Sequence, residues 1–164
     1  MFGAEYPVID TDPTFSRVVR YFRTSDYAAW AGATATMPAL LYAWERVDYS
    51  GATQRQLRSG LKINGLLGFC AGFLLAYQNS SMRFWGWKEN AEEIVKDKKE
   101  MSERVAKGLP VYGESDLTPY MQGLAARNST YSAVFLGVMP WFNTVNHPFH
   151  GVDTEKAYGE KKSS

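Results

Sequence analysis

Two histidines three residues apart, His147 and His150 in the run NHPFH, are the first residues whose types invite a chemical reading. A zinc-like site needs three or four nitrogen, sulfur or oxygen ligands at workable spacing. No third ligand is at hand, and Pro148 prevents a regular helix between the two rings, so the pair reads as polar packing. The single cysteine, Cys70, lies among Gly, Phe and Ala. Apolar burial makes a thiol inert, and one cysteine excludes both an internal disulfide and a cysteine-rich metal site. A lipid-directed hydrolase would need a nucleophile–base pair drawn from Ser129, Ser132, His147 and His150. Gly65-x-x-Gly68 sits inside an apolar stretch rather than after a strand, which removes phosphate cradling. Asn79-Ser-Ser and Asn128-Ser-Thr match the glycosylation acceptor pattern, a motif that matters only in a secretory compartment. No constellation names a reaction, a metal or a cofactor, and no small-molecule substrate is implied.

The elements that carry these residues are defined by where charge is missing. The 18 Lys plus Arg and 17 Asp plus Glu nearly cancel, so there is no global pull toward nucleic acid. A mean hydropathy of −0.32 suggests a water-soluble chain, but the charges avoid two long windows. Residues 27–44 (YAAWAGATATMPALLYAW) and 63–82 (INGLLGFCAGFLLAYQNSSM) contain none. As helices these windows measure roughly 27–30 Å, about the hydrocarbon thickness of a bilayer. Tyr27, Trp30, Tyr42 and Trp44 bracket the first, and Tyr77, Phe84, Trp85 and Trp87 close the second, as rings with a polar edge do at headgroup depth. The pattern predicts an all-α membrane protein built on a two-span transmembrane helical hairpin, with amphipathic surface helices and an extended aromatic-rich C-terminal segment. Burial of both windows in a soluble bundle is the competing reading, and it fits the Ala- and Thr-rich first window better than the second.

Small residues indicate how such spans pack. Ala28, Gly32, Ala35 and Ala39 recur at helical spacing on the first, and Gly65, Gly68 and Gly72 on the second. In lipid, close backbone approach at small residues drives association, so Gly32, Ala35, Gly65, Gly68 and Gly72 are the expected helix-packing positions. Pro38 deprives the Thr34 carbonyl of its partner and should kink the first span. Asn64 is expected to hydrogen-bond a neighbouring helix. Neither window holds an ionisable residue, which weakens the alternative of a small self-associating channel or transporter component.

Around the spans, residues 1–26 form an N-terminal segment without the apolar core of a signal peptide. Asp12 followed by Pro13 predicts a helix start, and Phe15, Val18, Val19 and Phe22 make an apolar stripe beside Arg17, Arg20 and Arg23. Arg17, Arg20 and Arg23, with Trp85 and Trp87, are the expected membrane-surface or lipid-headgroup contacts. Ser25 or Asp26 should cap the first span. Residues 45–62 read as a polar hairpin loop, with four Lys or Arg against six on the terminal side, which favours both termini on the positive side. Residues 83–108 read as a charged amphipathic helix with Ala91, Ile94, Val95, Met101 and Val105 as its apolar edge, a solvated face and no specific site. Residues 109–164 read as an extended, partly helical partner-binding tail. Thr118-Pro119 starts a helix there, and an apolar centre at 131–142, interrupted by Pro140, lies on the membrane or against partners.

Three stretches carry a resemblance: FSRVVRYFRTSDY at 15–27, AYQNSSMRFWGWKEN at 76–90, and YMQGLAARNSTYSAVFLGVMPWFNTVNHPFHGVDTEKAY at 120–158. The chain resembles the fungal twenty-one-kilodalton accessory subunits of mitochondrial NADH:ubiquinone oxidoreductase, respiratory complex I. The likeness runs over nearly the whole sequence and is least clear at 45–60. It implies a subunit of the membrane arm in the inner mitochondrial membrane, in contact with other subunits and membrane lipids. It implies no flavin, iron–sulfur cluster or quinone site on this chain, and supplies no catalytic residue.

Overall fold

The computed structural model describes residues 3–139 and 141–159; Pro140 and residues 160–164 of the expected tail lie outside the described residues. The described residues are helical or irregular and include no strand: α1 (Phe15–Arg20), α2 (Thr24–Val47), α3 (Gln54–Phe84), α4 (Ala91–Ala106), α5 (Pro119–Ser129), a short 3-10 turn (Ser132–Phe135) and α6 (Thr154–Tyr158). They fall into two compact units, Phe22–Gln78 and the remainder, Met1–Tyr21 with Asn79–Ser164.

The Phe22–Gln78 unit is a pair of antiparallel helices. Both run past the charge-free windows, because a window marks where charge stops rather than where helix stops. Asp26 accepts the Arg23 backbone N–H at 2.8 Å and closes the start of α2 as its third residue, a role Ser25 does not take. The polar connection is shorter than expected, since α3 begins at Gln54. There Gln56 Oε1 accepts the Thr53 N–H at 2.8 Å while Thr53 Oγ1 accepts the Gln56 N–H at 3.4 Å, a reciprocal capping box. At 31 residues α3 is roughly 46 Å long.

One helix among the described residues, α3, is long and apolar enough to cross a membrane. Of the two-span hairpin expected from the sequence, one span, α3, meets that measure. α2 has the length, at 24 residues, but Ala and Thr at 28, 29, 31, 33–36 and 39 dilute its apolar character.

The other unit is organised around an extended N-terminal strap pinned by backbone hydrogen bonds. Tyr6 donates to Gly86 O at 3.0 Å, Ile9 to Phe84 O at 2.9 Å, Thr11 to His150 O at 3.0 Å and Phe15 to Asn143 O at 2.7 Å. Asn90 Nδ2 adds a bond to Pro7 O at 2.8 Å. Gly86 has φ +70°, and a Cβ there would stand 2.2 Å from Tyr6 O, so only glycine lets the strap approach. Val18, Tyr21, Phe84, Trp85, Met101, Val111 and Leu136 form the apolar core, each at most 3% exposed. Thr14, not Asp12, is the N-cap residue of α1, because Asp12 is drawn into the interior by side-chain partners. α4 ends at Ala106, with Gly108 at φ +68°, and Thr118 Oγ1 accepts from Met121 N at 3.4 Å to open α5.

Candidate functional site

In the helix pair, close approach occurs at Gly68 and Gly72. A Cβ at Gly72 would meet Trp30 O at 2.8 Å and Ala33 Cβ at 3.0 Å; one at Gly68 would meet Ala33 O at 2.7 Å and Met37 Cβ at 3.1 Å. Trp30 Nε1 donates to Phe69 O at 2.9 Å, and Leu41 lies against Gly60. The face that α2 turns to α3 is therefore Trp30, Ala33, Met37 and Leu41. Gly32 and Gly65 have nothing within 4 Å of an added Cβ, and Ala35 is exposed. The small-residue face of α2 thus points away from α3, because the large residues of α2 interlock with the glycine notches of α3. Asn64 Nδ2 donates to Gly60 O of its own helix at 3.0 Å rather than across to α2. Cys70 is exposed on α3 rather than buried within the chain.

The other unit holds a buried polar network. Arg17, 4% exposed, is ion-paired through one guanidinium nitrogen to Asp10 at 2.5 Å and through the other to Asp97. Phe84 and Tyr112 flank it with ring centroids 5.3 and 5.7 Å from its carbon. Burial alone would lower its pKa, but the two carboxylates overcome this and hold it charged. Asp97 also accepts Tyr158 O–H at 2.5 Å. Burial pushes the Asp97 carboxyl up although Arg17 and the Tyr158 hydrogen bond pull it down. The Tyr21 and Tyr158 phenols are pushed up as well, by burial first and then by hydrogen-bonding to Glu100 and Asp97.

The two histidines complete the network. His150 Nδ1 lies 2.7 Å from Asp10 Oδ1, and His147 Nε2 lies 2.9 Å from Asp12 Oδ2. Their rings stack 4.6 Å apart, and Tyr112 stacks on His150 at 3.6 Å. Ser129 donates to Asp12, and Asn143 Nδ2 donates to the Asp12 carbonyl at 2.9 Å. Asp12 thus separates Ser129 from His147, so the hydroxyl faces a carboxylate instead of the imidazole that would activate it. Ser132 Oγ donates to Trp141 O at 3.2 Å, away from either ring. No group of three or more His, Cys, Asp or Glu among the described residues is placed to hold a metal ion. The arrangement fastens the N-terminal strap and α1 to α4, α5 and the C-terminal segment through buried side-chain contacts.

The expected membrane-surface residues divide. Arg17 and Trp85 are interior, the first held by two carboxylates and the second 2% exposed with Nε1 donating to Thr11 O at 3.1 Å. Neither can meet a headgroup without breaking the core. Arg20 is exposed and pairs with Glu100 at 2.8 Å, and Arg23 is half-buried. Trp87 is half-buried and stacks on Tyr131, ring planes 9° apart, with Trp85 edge-on to both. Tyr131 is the one positive-φ non-glycine among the described residues, at φ 59°.

The charged helix also differs from expectation. Its interior face carries Glu93, Asp97 and Met101, while Val95 is exposed. Glu93 pairs with Arg83 at 2.8 Å. Positions 93, 97 and 101 lie at i, i+4 and i+8 on one stripe. This stripe ending in Met101 is present in the sequence, but the even mixture of charges around it has the pattern of a solvated helix.

Comparison with known proteins now bears on the whole chain. Residues 3–89 match the family described as NADH-ubiquinone oxidoreductase complex I, 21 kDa subunit, and residues 98–164 match the family described as the C-terminal of NADH-ubiquinone oxidoreductase 21 kDa subunit. The chain belongs to the complex I 21 kDa subunit family. It is 48% identical over 156 residues to the NADH-ubiquinone oxidoreductase 20.9 kDa subunit of Neurospora crassa, covering 95% of this chain and 82% of that one. The family match spans residues of both structural units.

Proposed function

We propose that the chain is a non-catalytic accessory subunit of mitochondrial respiratory complex I, supporting assembly and stability of the membrane arm. In this reading it sits in the inner mitochondrial membrane in contact with other complex I subunits and with membrane lipid. α2 and α3 both enter the bilayer as a two-span hairpin, α3 by its own apolarity and α2 by packing on the notches at Gly68 and Gly72.

The observation that carries this reading, beside family membership, is apolar surface the chain does not cover. Leu40, Ile63, Leu66, Leu67, Phe69 and Leu75 are each 49–64% exposed on α2 and α3. A soluble domain does not leave such a face to water, whereas lipid or neighbouring helices would cover it. The open face at Gly32, Ala35 and Gly65 suits a helix of another subunit, and Arg20, Arg23 and Trp87 suit headgroup depth. The Ser129–Asp12–His147 order supports a structural rather than a hydrolytic role for those residues.

Deleting the gene and resolving detergent-solubilised mitochondria by blue-native electrophoresis tests the proposal. The expected result is a reduced amount of assembled complex, restored by the full-length chain, which co-migrates with NADH dehydrogenase activity. Normal assembly with selectively altered turnover would contradict it.

A further inference from the structure

The apolar segment that follows α5 turns its largest side chains outward. Ala133 and Leu136 are buried and anchor it, but Val134, Phe135, Val138, Met139 and Trp141 are between 38% and 90% exposed. Single apolar side chains are ordinary on a soluble surface, whereas a concentration of this kind marks an interaction surface. No Asp, Glu, Lys or Arg occurs from Asn128 to Val152, so no charge borders the face along the chain. A protein–protein interface normally carries a polar rim.

The backbone of the segment is closed on itself. Val134 N–H donates to Tyr131 O at 3.1 Å, and the Val138 and Met139 N–H groups both donate to Phe135 O, at 2.9 and 2.8 Å. Ser132 Oγ donates to Trp141 O at 3.2 Å and ties the two ends together. Turns that satisfy their own N–H groups can enter an apolar medium, where no water replaces a missing partner. The base of the segment is fixed to the end of α3. There the chain folds back, with Trp87 N–H donating to Met82 O at 2.9 Å and Lys88 Nζ to Asn79 Oδ1. Trp87 therefore lies beside the last turn of the charge-free window at 63–82, and Tyr131 stacks on it. The exposed face is thus continuous with the aromatic end of the one described helix apolar enough to cross a membrane. We propose that residues 132–141 dip into the bilayer interface beside α3. Phe135, Val138 and Met139 enter the upper acyl region, about 5–10 Å into the headgroup–acyl boundary, while Tyr131 and Trp141 stay at headgroup depth.

The inference rests on the reading that α3 lies in the bilayer, and it commits the face to lipid rather than to another protein. Fluorescence quenching of the full chain reconstituted into phosphatidylcholine vesicles tests it. A bimane label sits on a Val138→Cys, Cys70→Ser variant, and the quenchers are iodide in the buffer and phosphatidylcholine brominated high on its acyl chains. Bromolipid should quench position 138 about twofold or more and iodide should leave it nearly unchanged, as burial at that depth requires. Val95→Cys, Cys70→Ser, exposed on α4, should respond to iodide instead. Adding Phe135→Asp and Met139→Asp should lift the loop and return position 138 to iodide, since carboxylates resist transfer from water. A label on the native Cys70 separates the two readings. Bromolipid quenching at 70 with iodide quenching at 138 leaves the face to a protein partner and overturns this inference alone. Iodide quenching at both positions overturns the bilayer reading as well. Quenching of position 138 by neither agent places it against a second copy of the chain and also overturns the proposal.

Discussion

Replacing Arg17 with methionine is the perturbation the buried network resists most. The substitution keeps an unbranched side chain of similar reach but removes the cation between Asp10 and Asp97, which are 0% and 2% exposed. Two carboxylates then share the interior without a counter-charge. Breaking a buried pair by deleting one partner costs about 3–5 kcal/mol, because the remaining charge stays desolvated. For a unit of roughly this size each kcal/mol shifts the melting midpoint by about 4 °C or more, so a fall on the order of 15 °C is expected. Arg17→Lys should fall between parent and Arg17→Met, since an ammonium cannot present two nitrogens to two carboxylates at once. Asp97→Asn added to Arg17→Met should recover part of the loss by removing one orphaned charge. The assay is thermal unfolding of the full chain in mild detergent by near-ultraviolet circular dichroism. An Arg17→Met midpoint within about 2 °C of the parent, or no recovery in the double variant, would refute the reasoning.

Three further outcomes follow from other contacts. Gly72→Ala places a methyl 2.8 Å from Trp30 O and should destabilise the helix pair by about 1–3 kcal/mol in thermal melts, whereas Gly32→Ala, with open space around it, should be neutral or slightly stabilising. Gly32→Leu should leave the isolated chain's melt unchanged yet lower its incorporation into complex I on native gels; equal incorporation would remove the open face of α2 from the proposed interface. The raised phenols of Tyr21 and Tyr158 keep their protons in the folded state at pH values where the unfolded chain, with ordinary values of 10.0, has lost them. Their contribution is therefore complete below pH 10 and declines as pH rises above it. A melting series from pH 8 to 11 should show that decline, flattened by Tyr158→Phe, and a level midpoint across the series would contradict it.

Local features of the chain were readable in advance, and long-range ones were not. The charge-free windows lie within α2 and α3, Thr118-Pro119 opens α5, and Gly108 follows the end of α4, because caps and apolar runs act over a few residues. The early start of α3 was also written in the sequence as Thr53 and Gln56, a capping box masked by the surrounding polar residues. Which face of α2 meets α3 was not readable from residue size alone, since glycine notches on one helix select large partners on the other. The network was hidden for a different reason. Asp10, Arg17, Asp97 and His150 are up to 140 residues apart, and each looks like an ordinary solvated charge or a stray histidine until the strap brings them together. Arg17 shows this most clearly, because the spacing that suggested a basic surface helix says nothing about which of its arginines turns inward.

Maleimide labelling of single-cysteine chains in intact inner-membrane vesicles tests most directly whether the helix pair lies in the bilayer. The native Cys70 on α3, exposed in the isolated chain, and an Ala35→Cys, Cys70→Ser variant on α2 should both resist a membrane-impermeant maleimide applied to either side, and react once the membrane is dissolved in denaturing detergent. A Ser50→Cys, Cys70→Ser variant in the connection should react from one side without detergent. Labelling of positions 35 and 70 as fast as position 50 in intact vesicles would contradict the account.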